Sequence, residues 1–284
     1  MKDRSLFKAL AVTLTVGWLA VFVIVPNLLT LATGFLTRGE PEFVLPVLTF
    51  DNYARLFDPA FFDIFLDSVW LALCTTVLCL LVGYPFAYIL ARLTPARRRL
   101  GLLFVIIPFW TNSLIRTYAL IAILNVNGLF NAALLWLGIV SEPVELLYTN
   151  TAVFIGFTYT LLPFMILPLY ASIEKLDHRL IEAARDLGAG SFQTFFRVGL
   201  PLTLPGIIAG SMLVFLPALS MFYVPDILGG AKSLLVGNFI RNQFLVARDW
   251  PFGAAASVLL TVVMGLLLYV YWLCHKRVRR AEPA

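Results

Sequence analysis

The sequence predicts an all-α integral membrane protein with about six transmembrane helices in one domain, residues 1–284. Three observations predict it. Of the 284 residues 61% are hydrophobic, with a mean hydropathy of +0.91, beyond what a soluble domain of this size carries. Apolar runs of about 20 residues, the length needed to cross a bilayer, recur along the whole chain. Seven of the 16 prolines and nine of the 18 glycines fall inside those runs, which membrane helices tolerate better than soluble ones.

Charge then orients the spans. Fifteen of the 21 Lys and Arg residues lie in four clusters on one predicted side: Lys2–Lys8, Arg92–Arg99, Lys175–Arg197 and Lys276–Arg280. Five lie on the other (Arg38, Arg55, Lys232, Arg241, Arg248), and Arg116 lies within a span. The positive-inside rule places the rich side, and both termini, in the cytoplasm. The basic pI of 9.2 is therefore an orientation signal and carries no implication of nucleic acid. The outer side carries ten acids against five bases, a net charge of −5. Cys74, Cys79 and Cys274 fall in predicted spans as ordinary apolar residues, and His178 and His275 are too far apart in sequence to suggest a metal site.

The elements follow in order. The first span covers approximately 9–34 and reads as a retained anchor rather than a cleaved leader. Residues 35–65 form an outer loop, and the second span, 66–91, carries a predicted kink at Gly83-Tyr84-Pro85. The third span is 100–124; Asn125, Asn127, Gly128 and Asn131 read as turn formers after it, and Leu129–Leu137 as a short scaffold or re-entrant helix. The fourth span is 149–173, the fifth 202–224 and the sixth 253–274. Gly206 and Gly210 give the fifth a small-xxx-small face suited to close packing.

Between the fourth and fifth spans lies the longest polar stretch between strongly apolar runs, residues 174–201. Residues 178–187 have the spacing of an amphipathic helix, Gly188 stands where a helix C-terminus wants a left-handed residue, and Ser191 is placed to cap a second short helix. Pro201 and Pro205 are expected to end that helix. The product is a helix–Gly–helix elbow. A passive helix on the headgroups is the alternative reading.

The spacing Glu182-Ala183-Ala184, three residues, Gly188, nine residues, Val198, one residue, Leu200-Pro201 resembles the EAA loop of ABC importer permeases, with Val198 in place of the usual Ile. The resemblance implies the type I importer permease fold and an elbow that docks on a cytoplasmic ATPase, with Glu182, Ala183, Ala184, Arg185, Asp186 and Gly188 as the coupling residues. Four further stretches narrow it: Pro108–Ala119, Leu162–Tyr170, Phe222–Asp226 with Gly229–Lys232, and Gln243-Phe244 with Arg248–Gly253. They resemble the permeases of spermidine/putrescine importers, most of all the first of the two permease subunits. By implication the partners are a second, different permease, two copies of an ATP-binding subunit that uses ATP-Mg, and a periplasmic polyamine-binding protein. The location is the bacterial inner membrane.

A polyamine needs carboxylates, aromatic faces and sites weak enough to release it. Asp226, Tyr223 and Phe222, at the mouth of the fifth span, and Trp110 and Tyr118, on the third, are the candidate pathway residues. A helix cap for Asp226 and an aromatic belt for the others are the alternatives. Arg116 runs against a cationic pathway. A charge within a span costs roughly 2.5–3.5 kcal/mol on insertion scales, so it is expected to snorkel, to pair with an acid, or to face the partner subunit. No Gly-x4-Gly-Lys-Ser/Thr is present, so ATP hydrolysis belongs to a partner, and no catalytic or metal set stands out. The same machine with another cargo (ferric iron, a phosphonate) and a secondary transporter are the competing functions.

Overall fold

The computed structural model describes residues 2–230 and 234–281. Lys232 lies outside the described residues, as do the side chains of His178, Cys274 and His275. Six helical stretches among them are long and apolar enough to cross a membrane: Leu10–Gly34, Pro59–Arg92, Ser113–Trp136, Asn150–Glu174, Ser191–Ser220 and Trp250–Leu273. The expected number of spans holds. The boundaries of the second, third and fifth do not, for reasons given below.

The chain forms two compact units. The first comprises Met1–Asp63 and Phe239–Met264. Helix α1 (Lys2–Leu19) passes through a π-helical turn, Ala20–Ile24, into α2 (Val25–Gly34). The wide turn precedes Pro26, whose missing N–H and ring crowding are otherwise disruptive in mid-helix. The expected outer loop is ordered as a small antiparallel pair, β1 (Leu36–Thr37) and β2 (Leu45–Leu48), followed by α3 (Asp51–Arg55). Asn52, 4% exposed, donates through its amide to the carbonyls of Gly34 at 3.1 Å and Leu36 at 2.8 Å, satisfying acceptors that the end of α2 leaves open. Gly34 lets α2 approach the last long helix: a Cβ there would lie 3.3 Å from the Ala255 amide nitrogen.

The second unit comprises Ile64–Asn238 and Gly265–Ala284. It holds most of α4 (Pro59–Arg92), then α5 (Pro95–Trp110), α6 (Ser113–Leu124), α7 (Leu129–Trp136) and α8 (Asn150–Glu174). α9 (His178–Asp186), α10 (Ser191–Thr194) and α11 (Leu200–Ser220) follow. α12 (Val236–Leu245) and α13 (Trp250–Ala281) are shared between the units. α4 begins seven residues before the expected start of the second span and stays helical through Pro85.

The core of this unit is α8 against α11. Phe157, Leu161, Met165 and Leu169 of α8 are fully buried. The expected small face of α11 makes the contact. A Cβ on Gly206 would overlap the Ser172 Cβ and come within 2.8 Å of the Pro168 carbonyl oxygen, and one on Gly210 would lie 2.8 Å from the Met165 sulfur. Gly206→Val is therefore expected to lower stability by about 1–3 kcal/mol through overpacking. Gly265→Val, where a Cβ meets nothing within 4 Å, is the matched control. Apparent melting temperatures of the two variants in detergent check this; equal midpoints would mean that α8 and α11 do not meet through Gly206.

The third span is not one helix. The chain leaves α5 at Thr111 (ψ 146°), where the Thr111 hydroxyl donates to the Pro108 carbonyl at 2.7 Å, and restarts with Asn112 as N-cap, its Oδ1 accepting the Leu114 N–H at 2.8 Å. Short polar side chains offer the backbone these local bonds in place of a continuous ladder. Asn131 is not a turn former. It sits inside α7 at 1% exposure, where its amide clamps both the N–H and the carbonyl of Val144, each at 2.9 Å. Pro201 and Pro205 do not end a helix either. α10 runs through the π-helical turn Phe195–Gly199 into α11, and the wide turn accommodates Pro201 as it does Pro26 in the first unit. The fifth span ends at Ser220, before a break at Met221-Phe222.

Candidate coupling elbow and translocation residues

The elbow is built by local chemistry. Asp177 caps α9, its Oδ1 accepting the Arg179 N–H at 3.0 Å. Ile181 points inward and is 8% exposed, while Glu182, Ala183, Arg185 and Asp186 face out and Ala184 is half-buried. Gly188 takes φ +85° and closes a two-bond C-terminal motif: its N–H donates to the Arg185 carbonyl at 2.9 Å, and the Ala189 N–H to the Ala184 carbonyl at 3.0 Å. Gly190, not Ser191, stands at the N-cap position of α10.

Two large apolar side chains on this polar elbow are largely exposed. Leu187 is 90% exposed and Phe192 75% exposed, the Phe192 ring lying 4.4 Å from that of Phe196 at a tilt of 44°. The elbow's root is tied down. Glu174, the last residue of α8, pairs with Arg98 at the start of α5 at 2.9 Å. Beside it a cleft of about 560 Å³ opens between the ends of α8 and α11, lined by Ser172, Lys175, Asp177, Leu180, Leu202 and Gly206, among others.

The expected pathway residues divide into groups. Phe222, Tyr223 and Asp226 share one stretch after the break of α11. The two rings meet edge-on at 6.2 Å, and Asp226 lies in the π-helical turn Pro225–Gly229 with its N–H donating to the Phe222 carbonyl at 3.2 Å. That turn packs on α6 and α8. Trp110 ends α5 and is 80% exposed; Tyr118 lies on α6 and is 60% exposed. Arg116, between them on α6, pairs with no acid among the described residues. Its Nε and Nη1 are buried without an acceptor, and its Cζ lies 5.9 Å from the ring centres of Phe109 and Tyr159.

Sequence reasoning missed a polar hub in the first unit. Asp249, 2% exposed, accepts from Arg55 at 2.8 Å, lies 4.0 Å from Arg38, and caps α13 by accepting the Phe252 N–H at 3.2 Å. Asp249 followed by Pro251 is a legible helix start. Its arginine partners, 194 residues away for Arg55, left no local trace. Close by in sequence, burial raises the Tyr53 phenol above its ordinary pKa.

Comparison with known proteins gives three findings. The family model described as "Binding-protein-dependent transport system inner membrane component" matches residues 83–280. The spermidine/putrescine transport system permease protein PotB of Escherichia coli strain K12 is 57% identical over 257 residues, covering 90% of this chain and 94% of that protein. Its counterpart in Salmonella typhimurium strain LT2 is 55% identical over 272 residues, covering 96% and 95%. A bacterial alginate ABC transporter, solved in complex with an alginate pentasaccharide-bound periplasmic protein, superposes with a TM-score of 0.74 over 97% of this chain and 96% of that one, at 18% identity, a likeness of fold alone.

Proposed function

Because the chain belongs to the binding-protein-dependent transport system inner membrane components, we propose that it is the membrane-spanning permease subunit of an ATP-driven importer for polyamines of the spermidine and putrescine class. One observation carries the cargo: near-full-length identity of 55–57% to spermidine/putrescine permeases. Both termini face the cytoplasm in this reading. The chain itself is non-catalytic and holds no cofactor. A second, different permease completes the pathway, two ATP-binding subunits hydrolyse Mg-ATP, and a periplasmic binding protein delivers the polyamine.

The geometry supports a lever mechanism. Leu187 and Phe192 are apolar surface suited to a groove on the ATP-binding subunit, with Glu182, Arg185 and Asp186 as the polar rim. Closure of the ATPase dimer moves the elbow. That movement has no slack to lose, because α10 runs through a helical turn into α11, and α11 is interlocked with α8 through Gly206 and Gly210. Displacement at Gly188 therefore reaches the break at Met221-Phe222 and the turn carrying Asp226. Asp226, Phe222 and Tyr223 on that stretch are the carboxylate and aromatic groups that would give an ammonium a weak, releasable site. The net negative outer side draws polycations toward it.

Reconstitution tests the proposal. Proteoliposomes would hold this chain, the second permease and the ATP-binding subunit, with loaded binding protein outside. Spermidine-loaded protein is expected to stimulate both ATPase activity and labelled-spermidine uptake, and iron- or phosphonate-loaded protein neither. Stimulation by the latter two alone would replace the cargo while keeping the machine.

A further inference from the structure

The elbow reaches one more helix. Four aromatic rings run from its exposed face into the membrane core. Phe192 lies 4.4 Å from Phe196. Phe196 meets Phe195 edge-on at 5.0 Å, and Phe195 meets Tyr84 of α4 edge-on at 5.5 Å. Separations of this size are those of rings in direct contact. The series descends from surface to interior: Phe192 and Phe196 are exposed, Phe195 is half-buried and Tyr84 is buried.

Tyr84 is also tied to α11. Its hydroxyl lies 3.0 Å from that of Thr203, out of reach of solvent. The Thr203 hydroxyl in turn reaches the Gly199 carbonyl at 2.9 Å and the Leu200 carbonyl at 3.1 Å. A hydroxyl has one proton to give, so with that proton on the Gly199 carbonyl the Tyr84 hydroxyl donates to Thr203. One side chain of α4 thus holds both ends of the π-helical turn Phe195–Gly199, through which the elbow passes into α11.

The grip falls where α4 is weakest. Pro85 follows Tyr84 and offers no N–H to the Leu81 carbonyl, so the ladder of α4 lacks a rung there. Gly83 precedes Tyr84 and rests on α8: a Cβ on it would stand 3.1 Å from the Met165 Cγ. Three consecutive residues therefore combine a support on α8, a grip on the elbow and a missing backbone bond. Helices kink at such points.

We infer that Tyr84 is a positioning residue for transport, carrying the displacement of the elbow into α4 and bending that span at Pro85 while α11 moves. The inference rests on the lever reading above and adds to it a second span driven from the same turn.

The test uses the reconstituted assembly of this chain, the second permease and the ATP-binding subunit, with spermidine-loaded binding protein outside, and reads spermidine taken up per ATP hydrolysed. Tyr84→Phe keeps the ring and loses the hydroxyl; Tyr84→Leu loses both. Their uptake per ATP is expected to fall roughly threefold and roughly tenfold, within the range that single residues along a coupling network contribute. The stimulated ATPase rate, and the concentration of loaded binding protein that half-saturates it, are expected to stay near wild type. Thr203→Val removes the other hydroxyl and is expected to match Tyr84→Phe, with the double variant no worse than either alone. A structural role alone would lower the melting temperature and the recovery of the assembly, and leave the ratio untouched in what assembles.

A wild-type ratio in Tyr84→Leu overturns the inference. So do falls in Tyr84→Phe and Thr203→Val that add in the double variant, which would mean that the two hydroxyls act apart. A fall in Tyr84→Leu alone keeps the inference and assigns the grip to the ring. If Tyr84→Leu yields no assembly, Phe195→Leu removes the ring on the elbow side instead, with the same expected fall and the same overturning result. Gly188→Val measured alongside separates the two readings. Full uptake by that variant would sink the lever and this inference with it, whereas uncoupling by it beside wild-type ratios at Tyr84 would sink this inference alone.

Discussion

Gly188→Val is expected to uncouple the transporter: polyamine uptake collapses while ATP hydrolysis continues. The reason is local and conformational. Gly188 sits at φ +85°, and a Cβ built there meets nothing within 4 Å, so crowding plays no part. What valine cannot do is adopt the left-handed backbone without a cost of roughly 1–2 kcal/mol, a factor of roughly 5–30 in the population of the bent elbow. Losing the bend releases the two bonds to the Ala184 and Arg185 carbonyls and turns α9 away from α10, carrying Leu187 and Phe192 out of register with each other. Gly188→Asn, which tolerates positive φ, is expected to retain most of the coupling. Gly190→Val, at φ −64° with nothing within 4 Å, is expected to be close to neutral. Measured side by side in proteoliposomes, the three variants separate backbone strain from side-chain bulk. Full uptake by Gly188→Val would remove the elbow from the mechanism.

Asp249→Ala should give the largest loss of stability of any single polar change in the first unit, about 2–3 kcal/mol. The loss of a helix N-cap contributes about 0.5–2 kcal/mol. The remainder comes from the ion pair with Arg55, whose guanidinium also stacks at 3.9 Å over Phe252. That share is held below the value for a fully buried pair because Arg55 and Arg38 are about half exposed, at 48% and 45%. Asp249→Asn keeps an acceptor for the Phe252 N–H and is expected to cost about 1 kcal/mol. The apparent melting temperature in detergent, with Arg55→Ala as the second corner of a double-mutant cycle, checks both numbers. Additive effects of Asp249→Ala and Arg55→Ala would mean that the pair is not coupled.

Much of the elbow was legible in the sequence because every device in it acts within a few residues. The amphipathic period of 178–187, the glycine at the helix end and the EAA spacing each point to the same turn, and Gly188 lies in the left-handed region that a helix C-terminus wants there. The break in the third span was legible in principle: Pro108, then Asn112 ahead of Ser113, is a stop followed by a cap. Long apolar runs on both sides outweighed it. The role of Asn131 was not legible, since its partner Val144 lies 13 residues away across a loop. Pro201 misled because proline alone announces a stop, whereas the π-helical turn before it is chosen by the helix as a whole.

What the sequence determined by itself is the membrane architecture. A bilayer supplies no hydrogen-bond partners, so each span must satisfy its own backbone within about 20 residues, and that requirement is written segment by segment in apolar length and flanking charge. What only the tertiary structure decided is which segments meet. It set α8 against α11 across Gly206, paired Arg55 with Asp249 from opposite ends of the chain, and left Arg116 with rings and no acid among the described residues. In lipid one apolar helix face resembles another, and the choice among them rests on close fit and on a few polar groups whose partners lie far away in sequence.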